Sequence, residues 1–251
     1  MKPVYFSLLA VVLLIFSCKK DKKDEPEQLP ETITTGVITG MEVQIYDTTF
    51  SGGYNKPEYF YFDLNKDGED DIQLKSVLTG SPGMGAFPET SIGSLHPALK
   101  LHGIESFDTT FRNLTFSWYY DQQYNKYWKT FNYTFTCNRI SAGDNIVNIN
   151  PAFKLKPLEQ NDPINVFDNF SPTSITLRRG NRLPDPPQHI GVNGDTIYYE
   201  RKIYLSDCNL FPVDRKLYIG FVLNEELLGW ICITHSDYTS ITVHESAIQK
   251  K

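Results

Sequence analysis

The sequence is poor in the features that mark helical, zinc-binding and nucleic-acid-binding proteins. No stretch has the apolar spacing of a convincing amphipathic helix, although residues 95–101 would allow one or two helical turns. The four cysteines form no C-x-x-C pair, so a zinc site built on cysteines is not expected. A net charge of −6 argues against nucleic acid as a partner, because phosphates require clustered cations.

Recognisable catalytic motifs are also missing. The sequence has no G-x-S-x-G nucleophile elbow. The carboxylate pair of a glycoside hydrolase comes from distant strands and cannot be recognised from spacing. A secreted β-sandwich hydrolase acting on polysaccharide therefore stays open as the alternative to a non-catalytic protein.

The first residues have the pattern of an export signal. Lys2 is followed by an apolar run over residues 4–16 that is too short to span a bilayer. Ser17-Cys18 at its end resembles a bacterial lipobox, which predicts a lipoprotein signal peptide over residues 1–17 and a lipidated Cys18. Residues 18–32 are mostly charged or polar, apart from Cys18, two prolines and a leucine, as in a flexible tether. We expect an exported protein that is lipid-anchored to the bacterial outer membrane, with surface exposure as an open alternative.

Beyond the tether, the sequence predicts one β-sandwich domain over residues 33–251. Runs rich in Val, Ile, Thr, Tyr and Phe alternate with Gly, Pro, Asn and Asp, as in antiparallel all-β proteins, of which the jelly roll is one variant. Asn193-Gly194 indicates a type I′ hairpin turn. If Cys18 carries lipid, three cysteines remain. Export permits one disulfide, for which Cys137 and Cys208 are the expected pair, while Cys232 lies in an apolar strand.

One acidic loop has the ligand spacing of a calcium site. Oxygen ligands at alternate positions would come from the side chains of Asp63, Asn65, Asp67 and Asp71 and from the Glu69 carbonyl. Position twelve is Leu74 rather than glutamate, and the flanking residues alternate as strands do. The sequence therefore predicts a structural calcium ion between two strands. The alternative is an acidic turn held by side-chain hydrogen bonds without an ion.

Residues 116–135 hold ten aromatic side chains in twenty positions. Two strands joined by a turn would place Phe116, Trp118 and Tyr120 on one face and Tyr119 on the other, with the returning strand alternating in the same way. Exposed rings with polar tips suit stacking on sugars, so the candidate ligand-binding residues are Trp118, Tyr120, Tyr124 and Trp128. Core packing with cross-strand aromatic pairs is the alternative.

Two segments resemble a group of uncharacterised Bacteroidota lipoproteins. They are DLNKDGEDDI, within residues 57–74, and YIGFVLNEELLGWICITHSDYTSITVHESA, near residues 216–246. The group combines a strand-borne D-x-N-x-D-G-x-x-D loop with a late GWI strand motif. The resemblance implies a secreted, lipid-anchored β-sandwich and supplies no activity. Together with the residues above, it favours an envelope protein that binds a glycan or a partner protein, or that has a structural role.

Overall fold

The computed structural model describes residues 29–81, 85–181, 184–208, 211–236 and 239–250. The predicted signal peptide and lipidation site at Cys18 lie outside these residues. The described part contains β-strands and no helix, which confirms the all-β class. In this part of the chain no helix is long and apolar enough to cross a membrane. The strands are β1 (Thr32–Thr34), β2 (Met41–Ser51), β3 (Glu58–Phe62), β4 (Ile72–Ser81), β5 (Gly85–Ser94), β6 (Leu99–Asp121), β7 (Lys126–Thr136), β8 (Asn145–Leu155), β9 (Pro163–Asn165), β10 (Phe170–Ser171), β11 (Ile175–Arg179), β12 (Gln188–Asn193), β13 (Thr196–Tyr204), β14 (Lys216–Leu223), β15 (Leu227–His235) and β16 (Ser240–Gln249).

These strands form three sheets within the compact unit Glu31–Lys251. The largest has ten strands in the order β12-β13-β7-β6-β14-β15-β16-β2, with β8 and β10 also pairing with β6. The second has the order β11-β5-β4-β3, and the third consists of β1 and β9. The pairing is antiparallel except between β13 and β7, which are parallel.

The β-sandwich core is built around β14 and β15, whose side chains are buried on both faces. On one face, Tyr218 and Trp230 pack edge to face with ring centroids 5.2 Å apart, together with residues of β1 and β9. Toward the four-stranded sheet, His235 Nε2 lies 2.7 Å from Thr90 Oγ1, and Tyr46 contacts Phe60 across the layers. Strands that are covered on both sides have nearly continuous apolar sequences, such as YIGFVL in β14.

Strand β6 links this core to a second region. Its residues 99–101 pair with β14, residues 103–112 pair with β8, and residues 111–121 pair with β7. We call residues 111–121 of β6 together with β7, β13 and β12 the hairpin sheet. Its side chains are mostly exposed or half-buried on both faces. The hairpin sheet therefore differs from the two-layered core around β14 and β15.

Two local predictions need correction. Residues 95–101 form no helical turn of their own, because Leu99 and Leu101 are buried alternate residues at the start of β6. The β12–β13 hairpin exists, but Asn193 pairs with Thr196, so its central residues are Gly194 and Asp195. Only Gly194, at φ 58°, has a positive φ, which fits a type II′ turn with glycine first rather than the expected type I′ turn.

Candidate functional site

One face of the hairpin sheet carries a continuous group of aromatic side chains. Phe116 pairs with Phe131, Trp118 with Lys129 and Tyr120 with Tyr127. Directly paired residues point to the same side of a sheet, so these six share one face. The parallel strand β13 extends it, because its Tyr198 pairs with Lys129. We call this surface the aromatic face; its members are Arg112, Leu114, Phe116, Trp118, Tyr120, Tyr127, Lys129, Phe131, Tyr133 and Tyr198.

The aromatic face is open to solvent at its outer end. Phe116 is 58% exposed and Trp118 is 56% exposed, and Leu114, Tyr120 and Tyr127 are also exposed. Toward β13 the rings are half-buried, and Phe131 stacks on Tyr198 with an interplanar angle of 14°. Contiguous apolar exposure of this kind marks interaction sites in soluble proteins.

Lys129 lies at the centre of the exposed part of this face. Its Nζ is 4.7 Å from the ring centroid of Phe116, 4.7 Å from that of Trp118 and 5.0 Å from that of Phe131. The negative ring faces attract the ammonium, which holds the lysine among them. Arg112 has a similar position further along β6, with its guanidinium carbon 5.6 Å from the Tyr133 centroid.

The turn between β6 and β7 is fixed by its own side chains. Asp121 Oδ1 accepts hydrogen bonds from the backbone N–H groups of Gln123 and Tyr124. Asn125 has a φ of 50°, and its side-chain oxygen accepts a hydrogen bond from the Tyr120 hydroxyl. These bonds hold the ring of Tyr120 beside that of Tyr127, at a centroid distance of 4.7 Å.

The four ligand-binding residues predicted from the sequence do not all meet. Trp118 and Tyr120 share the aromatic face, and Tyr124 is exposed in the adjoining turn. Trp128 lies on the opposite face, half-buried between Tyr119 and Tyr199 at centroid distances of 6.2 Å and 5.2 Å. The alternation along each strand is as the sequence predicts, and it is this alternation that separates Trp128 from Trp118.

Sequence reasoning missed five members of the aromatic face: Arg112, Leu114, Tyr127, Lys129 and Tyr198. Tyr127 and Lys129 could have been assigned from a two-strand register with the turn at residues 122–125. Tyr198 gave no such signal, because the parallel pairing of β13 with β7 joins segments about seventy residues apart.

The predicted calcium loop is a tight connection between β3 and β4. The Asp63 carboxylate accepts hydrogen bonds from the backbone N–H groups of Asp67 (3.1 Å) and Gly68 (2.9 Å). Asp67 Oδ1 accepts one from Glu69 N–H at 2.9 Å, and this bond, with a second from Asn65, lowers the pKa of the Asp67 carboxyl. Gly68 has a φ of 92°, which a residue with a Cβ rarely adopts.

Asp71, at the end of the loop, is a buried carboxyl group. It is 2% exposed, and its Oδ2 accepts a hydrogen bond from Leu64 N–H at 2.9 Å. Burial raises the pKa of Asp71. No Lys, Arg or His side chain of the described chain forms an ion pair with it. A buried carboxylate needs a proton or a cation as compensation, and a bound calcium ion would supply the cation.

The loop oxygens are not gathered tightly around one point. In the described ranges, the group of acidic, Cys and His side chains with ligand atoms within 4.8 Å of one another is Asp108, Cys137 and Cys208. It is no calcium site, because its two sulfurs form a disulfide. A calcium ion in the loop would therefore draw the oxygens of Asp63, Asp67 and Asp71 together. The Asn65 side chain and the Glu69 carbonyl would complete the predicted ligand set.

The cysteines lie as follows. Cys137, after β7, and Cys208, after β13, are joined by a disulfide, the pair expected from the sequence. Asp207 Oδ1 accepts a hydrogen bond from Cys137 N–H at 2.7 Å, which also holds the segments after β7 and β13 together. Cys232 is a buried free thiol in β15, and burial raises its pKa to about 12. Such a thiol remains protonated and unreactive at neutral pH.

Comparisons of the chain with protein-family models, with curated proteins and with solved structures found no match.

Proposed function

We propose that this protein is a lipid-anchored envelope protein that binds a polysaccharide through the aromatic face of its hairpin sheet. The observation that carries the proposal is the group of exposed rings around Trp118, on a sheet surface built by three neighbouring strands. An aromatic ring with an exposed face stacks on the C–H surface of a sugar ring, and a tyrosine hydroxyl adds a hydrogen bond.

The arrangement favours binding over catalysis. Sugar-binding modules present flat rings on rigid strands, whereas a glycoside hydrolase needs two facing carboxyl groups across a cleft. The rings here are held by ladder hydrogen bonds on β6 and β7 and by the hydrogen-bonded turn at Asp121. A surface held in this way loses little conformational entropy when a ligand binds.

Anchoring would place this surface at the cell envelope. Cys18 after an apolar segment supports lipidation, and the charged residues up to position 32 support a tether. Two or three acyl chains hold a protein to a membrane far more firmly than one, because each buried CH₂ contributes about 0.8 kcal/mol. Calcium in the β3–β4 loop would have a structural role. The loop joins two strands of the four-stranded sheet, whereas the strands of the hairpin sheet belong to the ten-stranded sheet.

The proposal is tested by screening the full-length protein, purified in detergent, against an array of bacterial and host polysaccharides. We expect specific binding that Trp118→Ala weakens at least tenfold, equivalent to about 1.4 kcal/mol. Tyr119→Ala is the matched control, because Tyr119 is the adjacent residue, is 62% exposed and lies on the opposite face. Both variants should retain the wild-type melting curve.

If the folded protein bound none of the polysaccharides on the array, this result would count against polysaccharide binding. Equal weakening by Trp118→Ala and Tyr119→Ala would count against the aromatic face as the binding surface.

A further inference from the structure

We infer that the polysaccharide is acidic, with carboxylate or sulfate groups recognised by Lys129 and Arg112. This inference rests on the proposed function and adds the chemical class of the ligand. The inference depends on where the charged side chains lie among the rings of the aromatic face.

Lys129 is placed to meet an anion beside a stacked sugar. Its ammonium has three aromatic rings within about 5 Å, and the ring of Trp118, which would stack on the sugar, is one of them. A sugar ring over the exposed part of Trp118 would therefore bring its substituents close to Lys129. Because rings rather than water surround much of this ammonium, its attraction to an anion is stronger than at an open surface.

Arg112 supplies a second cation on the same side. It pairs with Phe135 in the ladder, and it lies six positions before Trp118, an even offset, so both point to one face. Six residues of extended strand put the two positions roughly 20 Å apart. A chain of several sugars could therefore contact both cations along β6.

These two cations are not neutralised within the described structure. Glu200 and Lys202 of β13 pair with Phe131 and Tyr133, so they point to the same side, and they are joined to each other by a salt bridge of 3.4 Å. Arg112 and Lys129 form no salt bridge with a carboxylate in the part of the chain that is described. The chain as a whole has a net charge of −6, so two uncompensated cations on one exposed face create a local site for anions.

An acidic polysaccharide fits better than single-stranded nucleic acid, which also stacks on aromatic rings. Nucleic acid carries a charge at every nucleotide and is bound by grooves lined with many cations. Among the described residues, the aromatic face carries two cations without a salt bridge, Lys129 and Arg112, and the chain as a whole has a net charge of −6. A polysaccharide that carries an acidic group only on some of its sugars matches this lower density of positive charge.

The test compares short acidic and neutral oligosaccharides, so that calcium does not cross-link the ligand. Oligogalacturonides and chondroitin sulfate oligosaccharides are the acidic probes, and cello- and xylo-oligosaccharides are the neutral ones. Binding to the full-length protein in detergent is measured by calorimetry for the wild type and for Lys129→Met, which removes the charge and keeps the apolar stem. Lys129→Arg tests whether charge alone restores binding. Lys126→Met is the matched control on β7, because position 126 alternates to the opposite face.

We expect tighter binding of at least one acidic probe than of every neutral one. Lys129→Met should weaken it about tenfold, or roughly 1.4 kcal/mol, while Lys129→Arg and Lys126→Met change it less than threefold. Binding should also weaken as the salt concentration rises from about 50 mM to about 500 mM, because salt screens exposed charges.

Three outcomes would overturn the inference. The first is neutral oligosaccharides binding as tightly as acidic ones with an unchanged effect of Trp118→Ala, which would leave polysaccharide binding standing and remove its acidic character. The second is an oligothymidylate displacing the acidic probe, which would make nucleic acid the ligand class. The third is no binding of either kind of oligosaccharide to the folded protein, which would remove the proposed function as well.

Discussion

At the scale of single residues, the β3–β4 loop is the segment whose candidate calcium ligands are set by local sequence. Its oxygen-bearing side chains fall within nine residues, so their spacing alone sets which groups can meet. The backbone N–H groups of Asp67 and Gly68 hold the Asp63 carboxylate, and Gly68 supplies the conformation that the turn needs. Among the described residues no cationic side chain forms an ion pair with the buried Asp71 carboxyl, and a bound calcium ion would compensate its charge.

We therefore predict that calcium raises the melting temperature and that Asp67→Ala removes most of the increase. At a free calcium concentration about 100 times the Kd, binding adds about 2.7 kcal/mol to the stability of the folded state. For a domain of this size, that gain corresponds to roughly 5–10 °C. The measurement is a thermal melt with calcium and with a chelator, for the wild type and the variant.

Asp70→Ala is the control for this prediction, because Asp70 is an exposed carboxylate of the same loop outside the predicted ligand set. It should keep the calcium-dependent increase. Identical wild-type melts in calcium and in chelator would show that the loop is an acidic turn held by its own hydrogen bonds.

The aromatic face shows where residue-scale reasoning from sequence stops. The alternation of Phe116, Trp118 and Tyr120 could be predicted, because a strand has a period of two. The separation of Trp128 from Trp118 follows from the same rule, once the register of β6 and β7 is known. Tyr198 could not be predicted, because its place depends on a parallel strand brought in from a distant part of the chain.

At the scale of strands, β14 and β15 are the easiest to recognise from their sequence. They are buried on both faces and so combine β-branched, aromatic and apolar residues without interruption. Strand β5 cannot be recognised from its sequence, since GAFPETSIGS contains glycine, proline and glutamate, which strands disfavour. It forms because β4 and β11 pair with it on its two sides, and this tertiary pairing overrides the weak local preference.

The GWI segment of β15 requires glycine for packing. A Cβ built on Gly229 would lie 2.2 Å from Phe221 Cζ and 2.5 Å from the Ala247 carbonyl oxygen. Phe221 is fully buried and pairs with Gly229 in the neighbouring strand, so neither contact can relax freely. We predict that Gly229→Ala lowers the free energy of unfolding by about 1–3 kcal/mol, as overpacked cores do. Urea denaturation measures the change.

Gly191→Ala is the matched control for this strand prediction. Gly191 lies in β12 of the hairpin sheet, and its added Cβ would meet no atom within 4 Å. Its effect on the free energy of unfolding should stay within about 0.5 kcal/mol, which is usual for surface substitutions. If the two variants were equally stable, the close contact of Phe221 with Gly229 would not limit packing.

At the scale of the whole molecule, the disulfide bears on both the fold and the predicted cellular location. Disulfides persist in oxidising compartments, so the predicted export would preserve this bond. The Cys137–Cys208 bond joins the ends of β7 and β13 next to the parallel pair of the hairpin sheet, and it closes a sequence separation of 71 residues. A cross-link over so long a loop restricts the unfolded chain strongly.

We predict that Cys137→Ser with Cys208→Ser lowers the free energy of unfolding by about 2–4 kcal/mol. Urea denaturation of the double variant and the wild type measures the loss. Cys232→Ser is the control variant for thiol removal, because Cys232 takes no part in the disulfide. An unchanged free energy of unfolding in the double variant would mean that strand pairing alone holds the ends of β7 and β13 together.

Thiol counting in the same samples tests the fate of every cysteine in the molecule. If Cys18 carries lipid, the folded wild type should react with no thiol reagent, because Cys232 is buried and has a raised pKa. Unfolding without reductant should release one thiol per chain if Cys18 carries lipid, and two if it does not. Unfolding with reductant should add two more, those of Cys137 and Cys208. A count of three or more without reductant would contradict the disulfide. The count therefore tests the lipidation of Cys18 and the disulfide separately.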